Sequence, residues 1–165
     1  MSSSFSNPTL QRITAFLDAI GLPVEAATIE EETFLPGIRI DGGRLLVDEE
    51  RLAYVGDLLH EAGHLAVVSA ERRAELGAHA GDDPGEEMMA IAWSWAAAQH
   101  IGIEPEVVFH DAGYHGGSHS IIENFSAGRY FGVPTLQWVG MTYEPKVAAE
   151  HNVEPYPHML RWLRE

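Results

Sequence analysis

The chain has 165 residues, 45% hydrophobic and 21% charged, a composition that excludes intrinsic disorder and predicts one folded domain, 1–165. Its 25 acidic and 10 basic residues give a net charge of -15, which repels phosphate backbones and argues against a nucleic-acid partner. Cysteine is absent, so disulfides and thiolate metal sites are excluded, and His and carboxylates remain as the strong metal ligands.

The beginning of the chain carries no targeting pattern. Residues 1–8 are rich in serine, without the basic region and apolar run of a secretory signal. We therefore expect a cytoplasmic protein in which residues 1–7 are disordered. The most apolar stretch, 88–103, is interrupted by polar side chains and is shorter than the roughly 20 residues that a membrane span needs, so it predicts a buried helix and no membrane contact.

The first third of the chain predicts a helix followed by a hairpin. Asn7 and Pro8 are typical of a helix start, and apolar residues then recur at helical spacing until Gly21. An acidic connector follows. Beyond it, the short apolar runs 37–40 and 44–47 flank an Asp-Gly-Gly turn, which predicts a β-hairpin.

Two long helices are predicted next. The periodicity from Asp48 indicates a helix that ends before Gly77, and Asp83-Pro84 opens a second helix through His100. Small side chains on one side of the second helix predict a close approach to the first. Met88, Ile91 and Trp95 on the opposite side are assigned to the core, and Trp93 and Trp138 to the core or to a groove.

The remainder of the chain gives weaker signals. Residues 107–109 are consistent with a helical turn, Ser118 with a cap for a helix over 121–125, and residues 134–141 fit either a helix or a strand. The spacing in 157–163 predicts a closing amphipathic helix. Together the elements predict an α+β fold, in which a hairpin or short sheet packs on two long helices.

The chemistry-bearing pattern is His60-Glu61-Ala62-Gly63-His64 on the first of these helices. Side chains at i and i+4 lie on one face, so two imidazoles there can converge on one tetrahedral Zn2+. Glu61, next to the first ligand, is placed to accept a proton from the attacking water as general base. The alternative is a fortuitous match, which a chain with 9 His makes possible at the level of about a few per cent.

A catalytic zinc site usually has three protein ligands, so one more is expected. Glu87, at the start of the second helix, is our choice, and Glu86 is its competitor. The alternative interpretation is that both carboxylates stabilise the helix N-terminus through its dipole. The loop with His110, Asp111, Tyr114, His115 and His119 is an alternative source of the third ligand, as is His79.

Two further roles near the ligands remain open. Tyr114 or His115 is a candidate donor to a developing oxyanion. Asp57 is a candidate to fix the tautomer of a ligand imidazole, although a solvated Asp on the helix surface explains the same residue.

The set His60, Glu61, His64 and Glu87 resembles the gluzincin branch of zinc metallopeptidases, in which two His and a Glu on one helix precede a Glu ligand on a second. The chain is most similar to compact cytosolic gluzincins, including those that cleave bacterial regulatory proteins. The resemblance covers about residues 38–101. It implies a zincin-like fold and a peptide or protein substrate bound along the edge strand of the hairpin.

The resemblance is incomplete. Many family members have an Asp or Asn shortly after the Glu ligand, whereas residues 88–91 are Met-Met-Ala-Ile. The sequence therefore predicts a zinc-dependent hydrolase, most simply a peptidase. A non-catalytic zinc-binding regulatory or scaffold protein is the alternative, and a cationic partner attracted by the acidic charge is a third. The oligomeric state is left open.

Overall fold

A computed structural model describes residues 5–77 and 83–165. It is an α+β structure with a small sheet and several helices. The elements in chain order are α1 (Pro8–Ile20), β1 (Val24–Ala26), β2 (Ile38–Asp41), β3 (Arg44–Val47), α2 (Gly56–Val67), α3 (Ala70–Glu75), α4 (Pro84–Ile101), α5 (Pro105–Val108), a 3-10 helix (Tyr114–Gly116), α6 (Ser118–Ser126), α7 (Val133–Trp138) and α8 (Pro145–Glu150). Within the described ranges, no helix is both long and apolar enough to cross a membrane.

The predicted hairpin is confirmed. Strands β2 and β3 pair antiparallel with Asp41 opposite Arg44. Gly42 and Gly43 form the turn with φ values of 57° and 83°, which residues other than glycine rarely adopt. The third strand, β1, pairs parallel to β3, so that the order is β1-β3-β2. From the sequence, this segment was expected to belong to the connector, because a strand of three residues is too short to show an alternating pattern.

Helix α1 begins and ends as predicted. The Asn7 side chain accepts hydrogen bonds from the first turn, and Gly21 ends the helix at φ 98°. The disorder predicted for residues 1–7 is wrong for residues 5–7: Phe5 is 6% exposed, and the Ser6 and Asn7 amides donate to the Glu49 carboxylate. Residues 1–4 lie outside the described part of the chain.

The first of the two long predicted helices is divided. Residues 48–55 form turns, α2 ends at Val67, and Ser69 caps the separate helix α3 by accepting from the Arg72 amide. The Arg73 guanidinium explains why the break is stable, because it donates to the Leu65 and Val68 carbonyl oxygens at 2.7 and 3.0 Å. It thereby satisfies carbonyls that the end of α2 leaves unpaired.

Helix α4 matches its prediction closely. The Asp83 side chain caps it, Pro84 opens it and Gly102 ends it at φ 85°. Ile91, Trp93 and Trp95 are buried as expected, but Met88 is 44% exposed, so its assignment to the core is wrong. Trp138, expected in the core or in a groove, is 87% exposed and is not a core residue. Met88 lies in the second turn of α4, after the exposed Pro84 and Gly85, and Trp138 is the last residue of the short helix α7, so local periodicity does not show which side faces solvent at either position.

The helix predicted over 157–163 is absent, and α8, which precedes this segment, was missed. The segment is instead tied down as irregular chain. Thr142 and Met159 form a β-bridge, the Leu160 amide donates to the Met141 carbonyl, and Trp93 Nε1 donates to the Trp162 carbonyl at 2.9 Å. Met159 is buried and Trp162 and Leu163 are partly buried against the core, whereas Leu160 is 40% exposed, and none of them is in helical backbone. Residues 134–141, left open between helix and strand, include most of α7.

Candidate metal centre

Helices α2 and α4 bring the three predicted ligands together. His60 and His64 lie one turn apart on α2, with ring centroids separated by 4.8 Å and ring planes at 87°. Glu87, in the first turn of α4, places its Oε1 atom 2.6 Å from His64 Nε2 and 3.4 Å from His60 Nε2. The predicted ligand set is therefore a spatial cluster, although Glu87 is 23 residues from His64 in the sequence.

The cluster could hold a metal ion. One nitrogen of each imidazole and a carboxylate oxygen of Glu87 all lie within 4.8 Å of one another. Among residues 5–77 and 83–165, no other group of three or more His, Asp or Glu side chains meets this distance. Ligands bound at 2.0–2.1 Å to a tetrahedral ion are separated by about 3.3 Å. The Glu87–His60 separation of 3.4 Å matches that value, whereas the direct Glu87–His64 hydrogen bond would have to open.

Glu87 is held in its ionised form. Burial alone raises the pKa of this carboxyl, but hydrogen bonds from His60 and His64 and the charge of the two imidazoles outweigh burial, so the pKa lies well below its usual range. The ionised carboxylate is also the form that coordinates a metal.

The competing candidates for the third ligand are not in the cluster. Glu86 forms an ion pair with Arg72 of α3, so its carboxylate serves the packing between α3 and α4. His115 and His119 are exposed, as is Asp111. His79 lies outside the described residues.

Asp57 was a candidate to orient a ligand imidazole, but it bonds a different histidine. Its Oδ1 atom lies 2.6 Å from Nε2 of His110, and the His110 ring stacks on Tyr54 at 3.8 Å between centroids. The Nδ1 atoms of His60 and His64 are buried, and the part of the chain that the structure describes gives them no hydrogen-bond partner. Outer partners of this kind usually raise metal affinity by about 10–100-fold, so this centre has the ligands without that support.

Tyr114 covers the His60 side of the cluster. Its ring centroid lies 5.1 Å from that of His60 at 79°, and its hydroxyl is buried without a hydrogen-bond partner among the described residues. Burial, together with the charges of Glu87, Asp57 and Glu61, raises the pKa of the phenol well above its ordinary value of 10.0. Tyr114 therefore remains a neutral hydrogen-bond donor.

The backbone at Tyr114 is strained. Tyr114 and His115 have φ values of 59° and 53°, in the left-handed region, and a non-glycine residue there costs on the order of 1–3 kcal/mol. Strain of this kind often accompanies a function, because the surrounding structure must hold the residue in place.

Glu61 follows His60 on α2 and is 4% exposed. Its charge contributes, after burial and the charges of Glu87 and Asp57, to the raised pKa of Tyr114. The candidate general base and the candidate donor are thus near each other.

Sequence reasoning missed the pairing of Asp57 with His110, because 53 residues separate the two partners and no local pattern marks them.

Comparison of the chain with protein family models, with curated proteins and with solved structures gave no match.

Proposed function

We propose that this protein is a zinc-dependent hydrolase, most specifically a peptidase of the compact gluzincin type that acts in the cytoplasm on a peptide or protein. The observation that carries the proposal is the convergence of His60, His64 and Glu87 from two helices on one point. A buried carboxylate at position 61, next to a ligand, adds the general base that hydrolysis requires.

When bound, a zinc ion would supply a water nucleophile at neutral pH by lowering the pKa of that water to about 7. Glu61 accepts the proton at its carboxylate and returns it to the leaving amine. Tyr114, kept neutral by its surroundings, donates its hydroxyl proton in a hydrogen bond to the carbonyl oxygen as negative charge develops there. Burial of these groups excludes bulk water and strengthens each interaction.

The sheet offers a place for an extended substrate. Strand β2 is at one edge of the order β1-β3-β2, with β3 on its inner side. An edge strand pairs readily with an extended peptide, whose backbone then adds a strand to the sheet. We assign β2 as the strand that receives the substrate.

The test is substitution of the general base. Glu61→Gln keeps the size of the side chain and removes its ability to accept a proton, so zinc content should be unchanged while peptide hydrolysis falls by about 10²–10⁴-fold. Hydrolysis that survives in Glu61→Gln at the rate of the parent protein would exclude this mechanism.

One observation favours a second candidate, a non-catalytic zinc-binding scaffold. The ligand imidazoles lack outer partners among the described residues, which is unusual for a catalytic centre under selection for affinity. In a scaffold the ion contributes directly to folding, so chelation should lower the melting temperature while no peptide is cut by the zinc-loaded protein.

A further inference from the structure

The loop that carries Tyr114 is built mostly on itself. After Phe109, the Gly113 amide donates to the His110 carbonyl, the Gly116 amide to the Gly113 carbonyl and the Gly117 amide to the Tyr114 carbonyl, at 2.9–3.2 Å. These bonds shape the loop, which we define as residues 110–117, but they do not fix it to α2. Side chains must provide that attachment.

His110 provides it at the start of the loop. Its Nε2 atom lies 2.6 Å from Asp57 Oδ1, and the side chains of His110 and Asp57 are 12% and 9% exposed. Tyr54 stacks on one face of the imidazole with ring planes 10° apart. Gly113 approaches the same ring so closely that an added Cβ would lie 3.3 Å from His110 Cε1.

This attachment and the metal centre share one helix. Asp57 precedes His60 by three residues and Glu61 by four, so that all three lie on neighbouring turns of α2. His110 precedes Tyr114 by four residues in the loop. The His110–Asp57 hydrogen bond therefore links the helix that holds two metal ligands to the loop that holds the buried phenol, in addition to the ring contact of Tyr114 with His60.

We propose that Asp57 and His110 are positioning residues, whose hydrogen bond fastens the loop 110–117 to α2 and so holds the strained Tyr114 with its ring against the metal ligand His60 and its hydroxyl buried. The functional part of this inference rests on the proposed hydrolase, in which Tyr114 touches the substrate carbonyl. The structural part stands apart from catalysis, because it concerns only where Tyr114 lies.

The pair is suited to this task because it is buried. A hydrogen bond between an ionised carboxylate and an imidazole is stronger than one between neutral groups, and the low-dielectric surroundings strengthen it further. Loss of His110 would leave the Asp57 carboxylate buried without this partner, which favours release of the loop over retention of its native position.

The experiment uses the full chain labelled with fluorotyrosine. The five tyrosines give up to five fluorine resonances, and Tyr114→Phe identifies the one that belongs to residue 114. His110→Phe retains a flat ring for Tyr54 to stack on but cannot bond Asp57. We expect the Tyr114 resonance in His110→Phe to shift toward that of free fluorotyrosine and to be broadened by a soluble paramagnetic agent.

Three further variants make the result specific. Asp57→Asn keeps an acceptor for His110 and should leave the Tyr114 resonance shielded. The double variant Asp57→Asn/His110→Phe removes the bond without leaving a buried unpaired charge, and should expose Tyr114 even if His110→Phe alone fails to fold. His115→Asn is the matched loop control, since His115 is exposed and Asn tolerates positive φ.

A Tyr114 resonance that stays shielded in the folded double variant would overturn the proposal. With a peptide substrate, His110→Phe should lower kcat by the same factor as Tyr114→Phe, and the two changes together should lower it no further. If the kcat losses of the two single variants multiply in the variant that carries both changes, the two residues act independently, and the proposal that His110 positions Tyr114 is also overturned. If no variant or parent hydrolyses peptides, the proposed function fails, and the resonance still decides whether Asp57 and His110 place Tyr114.

Discussion

Gly63, between the two His ligands, is the residue that permits α2 and α4 to meet. A Cβ at this position would lie 3.0 Å from the Ala90 carbonyl oxygen and 3.2 Å from both Ser94 Oγ and Trp93 Cε3. Ser94 of α4 also contacts α2 at this level, because its hydroxyl lies 3.5 Å from the Leu59 carbonyl oxygen. The spacing between His64 and Glu87 thus depends on a residue that is not itself a ligand.

Gly63→Ala should destabilise the protein by about 1–3 kcal/mol, because the added methyl group overpacks the contact by more than the gain in helix propensity restores. Since Glu87 would move away with α4, zinc affinity should fall as well. Chemical denaturation and zinc titration measure the two effects. Gly77→Ala is the matched control, because a Cβ there meets nothing within 4 Å, and it should leave both unchanged within error. Equal effects of the two substitutions would contradict the packing argument.

At the residue scale, the sequence could predict what a single helix geometry dictates. The i and i+4 spacing places His60 and His64 on one face whatever the rest of the fold does, and Glu87 follows from the need for a third ligand near a helix start. It could not predict that Asp57 bonds His110 or that Tyr114 is buried, because those contacts depend on the path of a loop distant in sequence.

The elements most easily predicted are those with their own end signals, such as α1 and α4, whose caps are Asn7 and Asp83. The break between α2 and α3 was missed because it is stabilised from outside the helix. Arg73 donates across the break to the Leu65 and Val68 carbonyls, and its NH2 group also reaches the Arg164 carbonyl at 2.6 Å. Local periodicity does not record such tertiary bonds.

The attachment of residues 5–7 to Glu49 gives a prediction at this scale. Hydrogen bonds from the Ser6 and Asn7 amides lower the pKa of Glu49 below its ordinary value of 4.5, so the folded state favours the ionised carboxylate. The attachment is therefore complete above about pH 4.5 and is lost as the pH falls below it.

Glu49→Gln should imitate the acid state at neutral pH. Hydrogen exchange of the Ser6 and Asn7 amides should accelerate, since the amide side chain is a weaker acceptor than the carboxylate. Glu50→Gln, at the exposed neighbouring position, should leave that exchange unchanged. Protection of both amides that persists in Glu49→Gln would show that Phe5 alone holds the segment.

At the scale of the whole molecule, the net charge is strongly negative, and several arginines are already bound to neighbouring groups. Arg39 pairs with Glu31, Arg44 with Glu25 and Arg72 with Glu86, while Arg73 donates to backbone carbonyls. With a net charge of -15, the molecule should attract cationic substrates from a distance.

This attraction predicts a salt effect on association. For a substrate peptide rich in Lys, kcat/KM should fall as ionic strength rises from about 0.01 to 0.15 M, because the Debye length shortens from about 30 to 8 Å. A neutral peptide with the same cleavage site should show no such fall. If kcat/KM depends on salt equally for both peptides, the acidic charge does not contribute to substrate association, and the prediction is wrong.

The central claim is that His60, His64 and Glu87 bind one zinc ion, and metal content after equilibrium dialysis against zinc tests it most directly. Adjacent carboxylates supply the matched pair, because Glu87 contacts both imidazoles whereas Glu86 pairs with Arg72. We predict one zinc per chain in the parent protein and in Glu86→Gln, and loss of zinc in Glu87→Gln and His64→Ala. A parent protein that retains no stoichiometric zinc, or an equal loss in Glu86→Gln and Glu87→Gln, would contradict the account.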